Sequence, residues 1–176
     1  KNFNEFVIFF GILILLTDNI SQKTPTYYPQ ASALIDYLHQ HFPSHTIYVK
    51  FHPQIQDNFE SITSPHYQQL DKTISAETLF LSNPGSIDAV LGSYSTALAV
   101  ATDFGIKAYD CSRFFGIDAP AIFEQYASKH YTNKPVTYIN NTKDLSLIQG
   151  NSHSLKQKKN SLSTFRQLLQ RLDTLY

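Results

Sequence analysis

The apolar positions of this chain fall into short continuous runs, separated by stretches in which they recur at helical spacing. Residues 6–16 are almost wholly apolar, yet too few to span a bilayer. Thr17, Asp18 and Asn19 follow, where a secretory leader would need small residues for cleavage. Residues 12–16 therefore read as a strand buried on both faces. Ala31, Leu34, Ile35 and Leu38 form a stripe that predicts a helix over 28–41. After Pro43 and Ser44, residues 46–49 read as a β-branched and aromatic strand, with 50–53 leaving it as a loop. A short helix is expected over 75–81, with Ser75 as N-cap and Glu77 in its first turn. Asn83, Pro84 and Gly85 mark a break.

The second half continues the alternation. Residues 87–91 predict a strand that turns at Gly92 and Ser93. Small apolar residues over 96–104 predict a helix packed closely on a sheet, ended by Gly105. Strands are expected over 107–109 and 135–139, with a helix over 122–130 between them. Residues 150–160 are a polar linker. Leu162, Phe165, Leu168, Leu169 and Leu172 then give an amphipathic helix over 161–175. Such alternation implies an α/β, Rossmann-like fold, a mostly parallel sheet with helices on both faces. Residues 1–150 form that domain, and 151–176 are a linker and a helix docked on it. Ligands of such sheets lie beyond the carboxyl ends of the strands.

Composition narrows the classes. The chain has 176 residues, with 14 basic and 14 acidic side chains, so the excess of positive charge that marks a nucleic-acid partner is missing. The single cysteine, Cys111, excludes an internal disulfide and reads as a small buried apolar residue. With no methionine, the sequence is expected to lack its natural start. No cluster of His, Cys, Asp and Glu has the spacing of a metal site, and neither metal nor cofactor is expected.

Two loops carry the chemistry. In Lys50-Phe51-His52-Pro53 a strand delivers His52 to the edge of the sheet, and Pro53 biases it to an extended conformation. A histidine there can protonate a leaving phosphate near neutral pH, with the Lys50 charge on the same side of the strand. The plain alternative is a surface turn. The other loop, Gly92-Ser93-Tyr94-Ser95-Thr96, opens a helix. Ser95 and Thr96 with the free N–H groups of a helix start make an anion site. Simple N-capping by these residues is the alternative. Glu77 fits either first-turn helix electrostatics or a contact to a nucleoside.

In this order the loops resemble the carboxyl-terminal half of bacterial GT-B sialyltransferases, closest to glycosyltransferase family 52, the lipooligosaccharide sialyltransferases. Lys50-Phe51-His52-Pro53 matches that family's Lys-Pro-His-Pro loop except at Phe51, and Tyr94-Ser95-Thr96-Ala97-Leu98 matches its paired-hydroxyl motif and helix. Residues 74–79 resemble its approach to a short helix. The resemblance runs from about residue 12 to residue 109 and implies one half of a GT-B glycosyltransferase. It implies CMP-sialic acid as donor and inverting transfer to a glycan hydroxyl. His52 would be the general acid, and Asp18 the general base. Ser95 and Thr96 would bind phosphate, with Lys50, Pro53 and Glu77 lining the nucleotide.

Two alternatives stay open. Teichoic-acid-type CDP-polyol phosphotransferases resemble the same loops, but carry an acidic residue where Ser93 stands here. The chain could also be a non-catalytic or incomplete nucleotide-binding domain, since a GT-B enzyme needs two such halves. The expected partners are a nucleotide sugar, a lipid-linked glycan acceptor, and a missing amino-terminal half or a second copy. The expected location is cytoplasmic, peripheral to the inner membrane, where Arg166 and Arg171 give the last helix a basic face.

Overall fold

The computed structural model describes residues 11–16, 24–53, 62–82, 85–117 and 120–148. Strand β1 (Gly11–Leu16) leads to helix α1 (Tyr27–His41) and strand β2 (Thr46–Phe51). A two-residue strand β3 (Gln68–Gln69) precedes helix α2 (Ala76–Ser82) and strand β4 (Ile87–Gly92). Helix α3 (Thr96–Asp103), strand β5 (Lys107–Asp110), helix α4 (Pro120–His130) and strand β6 (Val136–Tyr138) follow, with a final 3-10 turn at Thr142–Leu147. The strands form one six-stranded sheet in the order β3-β2-β1-β4-β5-β6. All its pairings are parallel. This is the Rossmann-like α/β fold.

Every residue of β1 and β4 is buried, as the unbroken apolar runs required. Alternation sorts the side chains onto two faces. Ile12, Ile14, Leu16, Val49, Phe51 and Leu91 pack beneath α1. The loop after β5 closes the same cluster through Phe114 and Phe115. Leu13, Leu15, Tyr48, Val90 and Ala108 pack beneath α2 and α3, with Tyr126, Ala127 and Tyr131 joining from the α4 side. Both faces are thus covered, and β1 with β4 forms the centre of the sheet.

The ends of the elements depart from expectation in informative ways. Strand β2 continues through Lys50 and Phe51, which the sequence reading assigned to a loop. Lys50 is only 5% exposed. Its apolar stem lies in the sheet while its ammonium finds carbonyl partners, so a charged residue did not end the strand. Gly92 completes β4 rather than opening the turn. Helix α3 ends where expected: Gly105 has φ 71°, the left-handed conformation a helix stop favours in glycine. Gly116 in the β5 loop has φ 80°, and a Cβ there would meet Thr26 Oγ1 at 2.1 Å. That close approach, with the bond from the Thr26 hydroxyl to Phe115 O at 3.1 Å, ties the β5 loop to the start of α1. The expected linker, the helix over 161–175 and Asp18 lie outside the described residues.

Candidate functional site

Strand order reverses between β1 and β4, because β1 leads outward to β2 whereas β4 leads outward to β5. The carboxyl ends at that switch point form the natural crevice of an open parallel sheet. His52 follows β2 there, and its N–H donates to Leu16 O at 2.9 Å. Leu15 pairs with Gly92 on the other side of β1. The chain at His52 and the chain at Ser93 are therefore two strand spacings apart, roughly 10 Å. The alternation that sends Tyr48 and Lys50 toward α2 and α3 carries on to His52. His52 and the start of α3 thus share one side of the crevice, and His52 is half-buried.

The β4–α3 loop has an uncommon shape. Tyr94 has φ 45°, a left-handed conformation in a residue with a side chain. Ser95 is extended at the N-cap of α3, yet its side chain makes no bond to the helix N–H groups. Ser75 before α2 behaves differently, accepting from Thr78 N–H at 3.0 Å. Capping thus accounts for Ser75 and leaves the Ser95 hydroxyl for another use. Thr96 is exposed beside it. Hydroxyls and N–H groups gathered at a helix start suit a bound anion. Ser93, in contrast, is fully buried.

Lys50 stands back from this edge. Its Nζ donates to Phe51 O and Lys72 O, both at 3.3 Å. Burial lowers its pKa, while the charges of Glu77 and Asp71 oppose that shift. Half-buried Glu77, in the first turn of α2, lies near enough for its charge to act on Lys50. Pro53 is exposed just beyond His52. His52 thus follows the carboxyl end of β2 and Ser95 and Thr96 open α3, while Lys50 lies buried within β2.

Asp110, at the end of β5, is a site residue that sequence reasoning missed. Only 2% of it is exposed. Its carboxylate accepts from Ser112 N–H and from the Tyr131 hydroxyl, both at 2.9 Å, and from the Tyr94 N–H. Burial pushes its pKa up, and these hydrogen bonds partly offset the rise. The Tyr131 hydroxyl also lies 3.3 Å from Ser95 O. Burial and the neighbouring Asp110 charge push the Tyr131 pKa well up, so the phenol stays protonated. Cys111 is fully buried with its thiol pKa raised by burial, an inert packing group.

Among the described residues, no three or more His, Cys, Asp or Glu side chains converge to hold a metal ion. Among the same residues, no helix is long and apolar enough to cross a membrane. No protein-family model matches the chain, and no curated protein matches it.

Proposed function

We propose that this domain binds the phosphate of a cytidine nucleotide donor and serves as the nucleotide-binding half of a sialyltransferase-like, inverting glycosyltransferase of the family 52 kind. The observation that carries the reading is the Ser95 hydroxyl, placed at a helix start at the switch point and not used as a cap, on the same side of the crevice as His52. CMP-sialic acid is the donor and a hydroxyl of a lipid-linked glycan the acceptor. A base, assigned to Asp18, takes the acceptor proton as the bond from sugar carbon to phosphate oxygen breaks. His52 gives a proton to the departing phosphate. Ser95, Thr96 and the first N–H groups of α3 stabilise the charge that builds there. Glu77 and Lys50 form the nucleoside flank. The second half of the site comes from another domain or a second copy, and the reaction takes place at the cytoplasmic side of the inner membrane.

Thermal unfolding in the presence of CMP, CMP-sialic acid, CDP-glycerol and UMP tests this reading. Ligand at a hundredfold excess over Kd adds about 2.7 kcal/mol of stability, which is readily seen as a raised Tm. The reading predicts a shift with CMP and CMP-sialic acid and none with UMP. A larger shift with CDP-glycerol than with CMP-sialic acid would favour polyol-phosphate transfer. Equal shifts with UMP and CMP would remove cytidine from the account.

A further inference from the structure

We propose that Asp110 and Tyr131 are positioning residues for the anion-binding loop, holding Tyr94 and Ser95 in the shape that turns the start of α3 toward the ligand. The proposal rests on the phosphate-binding reading of Ser95 and Thr96 and adds the residues that make it work. The loop does not hold its own shape: Tyr94 adopts a backbone conformation that residues with a Cβ avoid. Such a conformation persists only when its surroundings over-determine it. Asp110 supplies that determination, because its buried carboxylate takes the Tyr94 N–H together with the Ser112 N–H. Tyr131, just beyond the end of α4, reaches back to the same carboxylate and to Ser95 O. Its own N–H is fixed to Ala127 O at 2.8 Å, and Ser95 O already receives Leu98 N–H at 3.0 Å. The hydroxyl of Tyr131 has one proton, which goes to Asp110 while the carboxylate is ionised. When Asp110 is protonated, it donates to Tyr131 and Tyr131 donates to Ser95 O. The chain of bonds survives in both states.

The geometry also divides the loop's donors. The Tyr94 N–H points inward to Asp110 and is not offered to the ligand. The Ser95 and Thr96 side chains and the start of α3 remain for it. Asp110 and Tyr131 touch neither substrate nor reacting atoms, and they act only through Tyr94 and Ser95.

The test pairs two readouts on the whole chain: calorimetric titration with CMP and hydrogen exchange at the Tyr94 amide. Tyr131→Phe keeps the ring that packs 5.6 Å from Tyr126 and removes only the hydroxyl. It is expected to weaken CMP binding about tenfold, the effect of one buried hydrogen bond. The same change on a Ser95→Ala background is expected to do somewhat less, since the Ser95 hydroxyl is already gone while the carbonyl that Tyr131 reaches, Thr96 and the start of α3 remain. Asp110→Ala is expected to speed Tyr94 exchange and weaken binding further, whereas Asp110→Asn, which still accepts an N–H, restores most of both. If the wild type binds CMP and Tyr131→Phe binds it equally well, the positioning role is overturned and the nucleotide reading stands. An unchanged Tyr94 exchange rate in Asp110→Ala would likewise overturn it. Failure of a folded wild type to bind CMP would overturn the nucleotide reading and this proposal with it.

Discussion

The N–H of His52 donates to the carbonyl of Leu16 across 2.9 Å, which pins the end of β2 to the end of β1. His52 thus continues the ladder for one residue past its strand. Its position comes from the sheet and not from a mobile turn.

His52→Ala should slow chemistry more than it weakens binding. In an assay that follows CMP release from CMP-sialic acid, with a lipid-linked glycan acceptor and the second half of the site supplied, kcat is expected to fall by about 10²-fold or more, the usual contribution of a general acid. KM should change little, since phosphate contacts remain at Ser95 and Thr96. A pure KM effect would make His52 a binding group and not an acid.

Lys50→Met should separate the interior lysine from the crevice. The two bonds from Nζ to Phe51 O and Lys72 O are lost, and the buried carbonyls lose a partner. Urea unfolding should show a loss of about 1–2 kcal/mol. CMP affinity should fall less than with Ser95→Ala. The opposite ranking would place the Lys50 charge on the phosphate.

Asp110 gives stability a defined pH dependence. Burial raises its carboxyl above the ordinary value of 3.8, so the folded protein keeps a proton that the unfolded chain has already released. The contribution is full below the unfolded value and is lost as pH rises through the raised native value. Denaturant midpoints measured from acid toward neutral pH should show this decline in the wild type. Asp110→Asn, which cannot ionise, should flatten it. An unchanged slope in that variant would assign the dependence to other groups.

His45 and Asp88 offer a control far from the crevice. His45 Nε2 lies 3.0 Å from Asp88 Oδ2 at the amino ends of β2 and β4, and Asp88 is 4% exposed. Removing Asp88 leaves the half-buried His45 ring without this neighbour, a cost of about 1–3 kcal/mol for a polar group left unpaired. Asp88→Ala should therefore lower the urea midpoint strongly. At temperatures where the variant stays folded, its CMP affinity should match the wild type. A parallel loss of affinity would mean that the two edges of the sheet are coupled.

The parts of this fold legible in the sequence are those whose signal is local. The apolar runs gave β1 and β4 because central parallel strands are buried on both sides, and the stripe through Ala31, Leu34, Ile35 and Leu38 gave α1, where all four are fully buried. Strand β3 was missed because Gln68 and Gln69 are exposed polar residues held only by pairing with β2. The 3-10 turn at Thr142–Leu147 gave no apolar period to read. At the candidate site, the placement of His52 after β2 and of Ser95 and Thr96 at the start of α3 was legible because strand ends and helix starts carry local signals. The bond between Asp110 and Tyr131 spans 21 positions, and only the folded chain brings the end of β5 and the residue after α4 together. The one local hint was an acidic residue at the end of a short strand.

The most direct test of the account is a calorimetric titration of CMP into the wild-type protein and into Ser95→Ala/Thr96→Ala. The account predicts saturable binding by the wild type, and affinity reduced by about 10²-fold in the variant while its unfolding midpoint stays near the wild-type value. Undiminished binding by the variant would contradict the phosphate-loop assignment, and no binding by a folded wild-type protein would contradict the nucleotide-binding account itself.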